Sequence, residues 1–284
     1  MQEINPPPNT PRLTGQQQWD TGTHHNFFEY YAQESLTESA LQRFCAVQDL
    51  VIRNIPALEH RDQITVADIG CGAGTLSRMW AQSGYRVFGL DVNEALIQLA
   101  CERAAATHLD VDYRVGSATA LPWPDQSMDI CLVPELLEHV EDWQSVVNEA
   151  VRVLKPGGVL YLSTTNRLCP VQQEFELPLY SWYPAFLKRR YERLAVTTRP
   201  ELANYAKFPA VHWFTFFQLQ KYLAPLGLTC LDRFDLGRQV AHGGLKGVVF
   251  ASVCVLPGAR FLGHVATSYT VVLAKKKTVT THAG

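Results

Sequence analysis

Apolar and polar residues alternate along the middle of the chain in a pattern that predicts strands and helices in turn. Short runs rich in β-branched and aromatic residues predict five strands, at 64–70, 85–91, 111–115, 128–133 and 159–164. Segments with a helical spacing of apolar residues separate them, at 74–83, from Asn93 through Ala106, and at 143–154. Because strands that alternate with helices form parallel sheets, we expect an α/β fold with a doubly wound, mostly parallel sheet and helices on both faces.

The flanking segments differ in composition and predict the domain organisation. Residues 1–25 are rich in Pro, Gln, Asn and Thr and predict a mobile N-terminal arm, which a helical cap over 26–60 follows. The main domain is expected over 61–275, with a C-terminal tail over 276–284. Inside the main domain, the aromatic-rich residues 168–213 interrupt the alternation and predict a lid insertion.

The pattern resumes beyond this lid. It predicts a helix over 214–228 and a strand over 228–234. A glycine-rich connection over 237–263 then leads to a final strand over 268–274. These last elements fall within the same predicted domain.

Composition and charge narrow the classes of function. With 47% hydrophobic residues, the chain can bury a core, which excludes disorder of the whole chain. The balance of 25 Lys and Arg against 27 Asp and Glu argues against a dedicated nucleic-acid-binding protein. No apolar run is long enough to span a membrane, no secretory signal is recognisable, and the seven cysteines lack metal-binding spacing. These features favour a cytoplasmic protein with reduced thiols.

A glycine-rich loop separates the first predicted strand from the first helix, in the run Asp68-Ile69-Gly70-Cys71-Gly72-Ala73-Gly74. Glycines at this place allow positive φ angles and let a ligand approach the backbone closely. A second acid, Asp91, ends the next strand, 91 − 70 = 21 residues after Gly70. This is close to the spacing of a carboxylate that binds a ribose, so the loop predicts a nucleotide-type cofactor site.

Two details argue against a dinucleotide in this site. The glycines are spaced G-x-G-x-G, and Thr75 stands where the dinucleotide fingerprint has its third glycine. Asp68 lies beside the loop, where its charge would repel a pyrophosphate. A cofactor with an amino group and a sulfonium, and without phosphate, suits that acid better. S-adenosylmethionine (SAM) is such a cofactor.

Three segments carry a resemblance to the class I SAM-dependent methyltransferases. VADIGCGAG resembles the first motif of that family, GLDVN the second, and LKPGGVLYLST the strand after the core. The resemblance covers residues 65–167 well and 214–235 loosely. It implies a Rossmann-like methyltransferase fold, SAM as cofactor, and in-line transfer of its methyl group to an acceptor.

The resemblance also implies a role for individual residues of the cofactor site. Asp68 would orient the amino group of SAM, Asp91 would bind the ribose hydroxyls, and Val92 would pack on the adenine. The complete implied site consists of Asp68, Gly70, Cys71, Gly72, Gly74, Asp91, Val92, Ser117, Ala118 and Pro134. Many family members have an acid where this chain has Ser117, whose hydroxyl accepts a weaker hydrogen bond from the adenine amine than a carboxylate does.

Glu135, Glu138 and His139 follow the fourth predicted strand in the run PELLEHV. In a helix these three residues would share one face at the carboxyl edge of the sheet, near the transferable methyl. His139 would then be a general base for an acidic hydroxyl, or all three side chains would bind a divalent cation. A third interpretation makes the glutamates a solvated helix face and His139 a packing residue.

The same run resembles the ubiquinone-biosynthesis O-methyltransferases. Their E-x-L-E-H-V segment supplies a magnesium site, and their next strand resembles STTNR of this chain. This resemblance implies Mg²⁺ as a second cofactor, bound by Glu135, Glu138 and His139. It also makes a catechol or a prenylated quinone precursor the candidate acceptor.

Aromatic residues are frequent over 175–217, which fits a lid above an aromatic or lipid-like acceptor. The run LKRRYERL mixes basic and apolar residues, as does a helix at a membrane surface or an ordinary lid helix with a solvated basic face. We therefore expect methyl transfer to a small-molecule hydroxyl, in the cytoplasm or at the inner face of a membrane. The alternatives are N- or C-methylation of another metabolite and a non-catalytic SAM-binding role.

Overall fold

The computed structural model describes residues 33, 35–55, 60–171, 175, 177–199, 202, 212–240, 251 and 254–278. The predicted arm over 1–25 lies outside the described residues. So do residues 26–32 of the predicted cap and residues 279–284 of the predicted tail.

Seven strands form one sheet. They are β1 (Thr65–Ile69), β2 (Arg86–Asp91), β3 (Val111–Val115), β4 (Met128–Pro134), β5 (Leu154–Thr165), β6 (Leu228–Asp232) and β7 (Tyr269–Lys276). Their order is β3-β2-β1-β4-β5-β7-β6, and β7 runs antiparallel to both of its neighbours while β1 to β5 are parallel. The predicted α/β class and mostly parallel sheet are confirmed.

Eight helices accompany the sheet in the part of the chain that the structure describes. They are α1 (Glu38–Ile52), α2 (Thr75–Gln82), α3 (Glu94–Ala105), α4 (Trp143–Val153), α5 (Ala185–Thr197), α6 (Phe216–Leu223), α7 (Arg233–Val240) and α8 (Pro257–Val265). Helices α1, α2 and α7 bury apolar side chains against one face of the sheet, and α4 and α6 bury theirs against the other. The core is therefore divided by the sheet, as in a doubly wound fold. None of these helices is both long and apolar enough to cross a membrane.

Local side-chain chemistry sets several element ends. The Asn93 side chain accepts a hydrogen bond from the Leu96 backbone N–H at 3.1 Å and begins α3. Pro225 and Gly227 shorten the helix predicted over 214–228, because α6 ends at Leu223 and a 3₁₀ turn follows over Ala224–Leu226.

Three further predicted boundaries in the second half of the chain are wrong. Strand β5 begins at Leu154 rather than after the glycines, and a register shift between Met128 and Ile130 of β4 accommodates the extra residues. The strand predicted over 228–234 ends at Asp232. The side chain of this residue accepts hydrogen bonds from the backbone N–H groups of Phe234 and Asp235. The expected connection over 237–263 contains the end of α7 and most of α8.

The strand order reverses between β1 and β4, where the sheet continues to β2 on one side and to β5 on the other. In open α/β sheets, ligands bind beyond the carboxyl ends of the strands at such a switch point. The glycine-rich loop follows β1 and the PELLEHV run begins at the end of β4. The fold therefore places both predicted motifs at one edge.

Candidate active site

The loop between β1 and α2 takes a backbone conformation that only glycine adopts easily. Gly70, Gly72 and Gly74 have φ angles of 79°, 51° and 73°. The backbone N–H groups of Gly70 and Cys71 donate to the Leu90 carbonyl oxygen at 2.7 and 3.0 Å, which fixes the loop to β2. A Cβ built on Gly72 would meet no atom within 4 Å, so open space lies in front of the backbone there. The loop is a cradle with room for a ligand.

Asp68 is a buried carboxylate at the base of this cradle, with 1% of the residue exposed. Its Oδ2 atom accepts a hydrogen bond from the Ser77 hydroxyl at 2.5 Å, while its Oδ1 atom accepts none from any described residue. Burial raises the pKa of Asp68 to about 6; the Ser77 hydrogen bond opposes this shift and the nearby Asp91 adds to it. A buried oxygen with unused acceptor capacity is suited to a ligand that brings a donor, above all a cation.

Asp91 ties the end of β2 to the cradle. Its two oxygens accept hydrogen bonds from the backbone N–H groups of Gly72 at 2.8 Å and Asn93 at 2.9 Å. Burial raises the pKa of Asp91, and these hydrogen bonds oppose the shift. Each carboxylate oxygen can accept a further hydrogen bond, so the residue retains capacity for ligand hydroxyls.

The remaining predicted cofactor residues surround the same edge. The Val92 side chain is exposed, at 47% for the residue, where the resemblance places an adenine. The Ser117 hydroxyl lies 2.7 Å from that of Thr119, and Ala118 packs against the core. Cys71 is buried, and its thiol pKa is raised well above the usual range because of burial and the nearby acids.

The PELLEHV run does not form the regular helix that would place its three ionisable residues on one face. Glu135 has a φ angle of 50°, and only Leu137–His139 form a single 3₁₀ turn. The Glu135 backbone N–H donates to the Ser163 carbonyl oxygen at 2.8 Å, which holds the chain outside a helical path. The run is therefore not the helix on which the i, i+3, i+4 arrangement depends.

The three side chains of this run meet different surroundings. Glu138 is buried, with 1% of the residue exposed. His139 is partly buried, and burial lowers its pKa to about 4, so that its imidazole is neutral at physiological pH. Glu135 is bound instead by Arg43 of α1, whose Nη1 atom lies 2.7 and 3.0 Å from the two carboxylate oxygens.

Among the residues that the structure describes, no group of three or more His, Cys, Asp or Glu side chains lies close enough to hold a metal ion. Both Glu135 oxygens are already occupied by a guanidinium, which is a cation itself. The predicted magnesium set of Glu135, Glu138 and His139 is therefore not assembled, and these side chains do not fit the ion in this arrangement.

Sequence reasoning missed two residues at this edge. Arg43 precedes Glu135 by 92 residues and occupies an ordinary polar position of a surface helix, so no local signal marks it. The His212 backbone N–H donates to the Glu138 carbonyl oxygen at 3.3 Å, which brings a second histidine next to the PELLEHV run. A lone histidine in an aromatic segment gave no spacing from which this contact could be inferred.

The aromatic residues of the predicted lid pack largely against one another. The rings of Phe175 and Tyr180 stack with centroids 4.1 Å apart, and Tyr180 meets Trp213 edge-on at 5.4 Å. The Lys188 ammonium lies 4.8 Å from the centroid of the Trp213 ring. These rings form a small core of their own. Residues 203–211, with two further rings of the predicted segment, lie outside the described residues.

Comparisons with known proteins agree with this geometry. Residues 67–162 match the family described as "Methyltransferase domain". A ubiquinone biosynthesis O-methyltransferase of Coxiella burnetii is 40% identical over 102 residues, which are 36% of this chain and 44% of that protein. One of Brucella anthropi is 34% identical over 181 residues, which are 62% of this chain and 64% of that protein. The matches thus span less than two thirds of these relatives.

A solved structure extends the likeness of the fold. The phosphoethanolamine N-methyltransferase 2 of Haemonchus contortus superposes with a TM-score of 0.60 at 14% identity, over 94% of this chain and 61% of that one. At this identity the comparison shows the fold alone. The family match is independent of this fold likeness: residues 67–162 match a methyltransferase domain, as the resemblance seen in the sequence implies.

Proposed function

We propose that this chain is a methyltransferase that uses SAM and methylates a hydroxyl group of a small-molecule acceptor. The buried Asp68 carboxylate supports this most directly, because one of its oxygens has no hydrogen-bond partner among the described residues and lies beside an open glycine cradle. A cationic amino group supplies the donor that this oxygen lacks. A phosphate would instead be repelled by the same charge.

Different residues of the chain bind different parts of the cofactor. Asp68 binds the amino group, Asp91 accepts the ribose hydroxyls, and Val92 covers one face of the adenine. When bound, SAM supplies an electrophilic methyl group on its sulfonium. The chain then has to position the acceptor oxygen, exclude water and remove one proton.

His139 is the proposed general base. Its imidazole is neutral because burial lowers its pKa to about 4, so it is ready to accept the acceptor's hydroxyl proton. Proton transfer to so weak a base is uphill, and less so from a phenol, with a pKa of about 10, than from an alcohol. The acceptor class that fits best is therefore a phenol or catechol.

The names of the aligned relatives and the surface of the lid make a catechol or prenylated quinone precursor the proposed acceptor. Large apolar side chains are exposed around the lid, at Val171, Leu179, Trp182 and Phe186. N- or C-methylation of another metabolite is the alternative, and the chemical form of the methylated product distinguishes them. A non-catalytic SAM-binding role predicts cofactor binding without turnover.

The outer face of α5 supports contact with an anionic membrane surface. Phe186 and the arginines Arg189, Arg190 and Arg193 are exposed on this helix. Such a face combines an apolar anchor with charges that anionic lipids attract. Co-sedimentation should show binding to phosphatidylglycerol vesicles but not to phosphatidylcholine vesicles, and changing the three arginines to Gln should abolish it. Equal binding to both vesicles, or unchanged binding by the variant, would refute the contact.

Substitution of His139 tests the proposed function. We expect His139→Ala to bind SAM as wild type does but to lose about 10²- to 10⁴-fold in turnover, the usual share of a general base. His212→Ala serves as a matched histidine variant and should retain most of the turnover. Methyl transfer is followed with SAM labelled on its methyl group, and SAM affinity is measured by calorimetry. Full turnover in His139→Ala would reject the base, and a loss in His212→Ala alone would assign the role to that residue.

A further inference from the structure

The ion pair between Arg43 and Glu135 joins two distant parts of the chain at the acceptor side of the site. One guanidinium nitrogen, Nη1, lies 2.7 Å from Oε1 and 3.0 Å from Oε2 of Glu135. Both oxygens that would ligate a metal ion are thus bonded to a permanent cation. This inference rests on the proposed function, because it concerns the same acceptor site.

The backbone on both sides holds this pair in place. Helix α1 carries Arg43 and is anchored by the buried side chains of Val47 and Val51, which pack on the sheet. On the other side, the Glu135 backbone N–H is bonded to the Ser163 carbonyl oxygen, and its φ angle of 50° turns the chain out of β4. The pair is therefore set by two anchored segments, although its own side chains are partly exposed.

A divalent ion at this place would compete directly with Arg43. Magnesium takes oxygen ligands in a near-octahedral arrangement and usually binds proteins through one or two carboxylates, and Glu135 is the first carboxylate of the run that the resemblance assigns to the ion. Two cations cannot share these oxygens without strong repulsion. The guanidinium remains charged at every physiological pH, so the competition does not relax as the pH changes.

We propose that Arg43 supplies the positive charge at Glu135 that the resemblance assigns to magnesium, so that methyl transfer by this chain needs no divalent ion. Arg43 acts as a positioning residue: it neutralises Glu135 and holds the turn that carries His139. The chain thus has the E-x-L-E-H-V run, but Arg43 of helix α1 supplies the positive charge in place of the ion. His139 is left for the acceptor.

Binding of Mn²⁺ alone to the full-length chain tests this proposal without requiring an acceptor. The signal of free Mn²⁺ in electron paramagnetic resonance is followed for wild type, Arg43→Ala, Arg43→Lys and the double variant Arg43→Ala/Glu135→Gln. Arg53→Ala is a matched control, because Arg53 is an exposed arginine at the end of the same helix. Thermal melting confirms that each variant is folded.

We expect Arg43→Ala to bind Mn²⁺ at least about tenfold more tightly than wild type, a change of about 1.4 kcal/mol. Arg43→Lys keeps a cation and should exclude Mn²⁺ as wild type does, and the double variant should lose the gained site. Equal Mn²⁺ affinity of wild type and Arg43→Ala, whether strong or weak, would overturn the proposal. Titration with S-adenosylhomocysteine is run in parallel, because failure of cofactor binding would reject the proposed function and leave the Mn²⁺ result standing.

Discussion

Replacing Asp68 by Asn separates the cost of burying a charge from its use in binding. Burial raises the pKa of Asp68 from 3.8 to about 6, which corresponds to about 3 kcal/mol at 1.36 kcal/mol per pKa unit. In the native state this carboxyl holds its proton up to about pH 6, whereas in the unfolded chain it loses the proton near pH 4. The free energy of unfolding therefore falls as the pH rises through this window, and at pH 7 the full penalty is present.

Asp68→Asn removes that penalty, because the amide has nearly the same shape and no charge. We expect the ligand-free variant to be more stable than wild type at pH 7, by at most about 3 kcal/mol. The pH dependence between about 4 and 6 that Asp68 contributes should disappear. Calorimetric melting of the ligand-free proteins at pH 5, 6, 7 and 8 measures both effects.

The same substitution should weaken cofactor binding. A hydrogen bond to a charged partner contributes about 1.5 to 3 kcal/mol, so SAM affinity should fall by about 10- to 100-fold at pH 7. Wild type should bind SAM about tenfold more weakly at pH 5 than at pH 7, since only about a tenth of a carboxyl with a pKa near 6 is ionised at pH 5. Asp68→Asn should show no such dependence.

Asp129→Asn is the matched control for this prediction. Asp129 lies near the opposite, amino end of β4, where its Oδ2 atom accepts hydrogen bonds from Lys155 Nζ and Thr65 Oγ1, both at 2.7 Å. This variant should lose stability and keep the wild-type affinity for SAM. The role given to the Asp68 charge is refuted if Asp68→Asn destabilises the ligand-free protein, or if this variant binds SAM with wild-type affinity and pH dependence.

Three further predictions address the cradle, the base and the C-terminal helices. Gly72→Ala should lose SAM affinity in calorimetric titrations, because its methyl group would enter the cradle. Gly84 also has a positive φ angle and open space around it. Gly84→Ala should therefore cost about 1 kcal/mol of stability, as Gly72→Ala does, and leave SAM affinity unchanged. At saturating SAM, where protonation of Asp68 does not limit the rate, the rate of methyl transfer should not fall through protonation of His139 until the pH approaches about 4, so an acid limb near pH 6.5 would contradict the assignment. Asp232 is fully buried, and its Oδ2 atom lies 2.8 Å from His264 Nε2 and accepts a hydrogen bond from Arg260 Nε at 2.9 Å. Asp232→Asn should therefore destabilise the protein by about 2 kcal/mol in urea unfolding at pH 7, and an unchanged midpoint would show that these two contacts contribute nothing.

The sheet could be predicted because its signals are local. Each of the five parallel strands is a short apolar run between turn residues, and the glycines of the cradle stand where the chain needs positive φ angles. The cofactor side of the site follows from the same logic, since Asp68 and Asp91 simply end or adjoin two neighbouring strands. Parallel strands bring such residues together at one edge without any long-range information.

The acceptor side could not be predicted because its contacts are long-range. The PELLEHV run has the composition of a helix, but a single backbone hydrogen bond from Glu135 to Ser163 of the neighbouring strand diverts it. The partner of Glu135 is Arg43, and nothing in the sequence relates these two positions. The glycine-rich connection concealed the end of α7 and most of α8, because its glycines have a low helix propensity.

We propose that this chain transfers a methyl group from SAM to a small phenolic acceptor. The most direct test incubates the protein with SAM labelled on its methyl group and with organic and aqueous fractions of a lysate that lacks the protein. Wild type should transfer label to a compound of the organic fraction, equally with magnesium and with chelator, and Asp91→Ala should transfer none. Wild-type protein that binds SAM but labels nothing in either fraction would contradict the claim, and label found only in an aqueous amine would reject the phenolic acceptor.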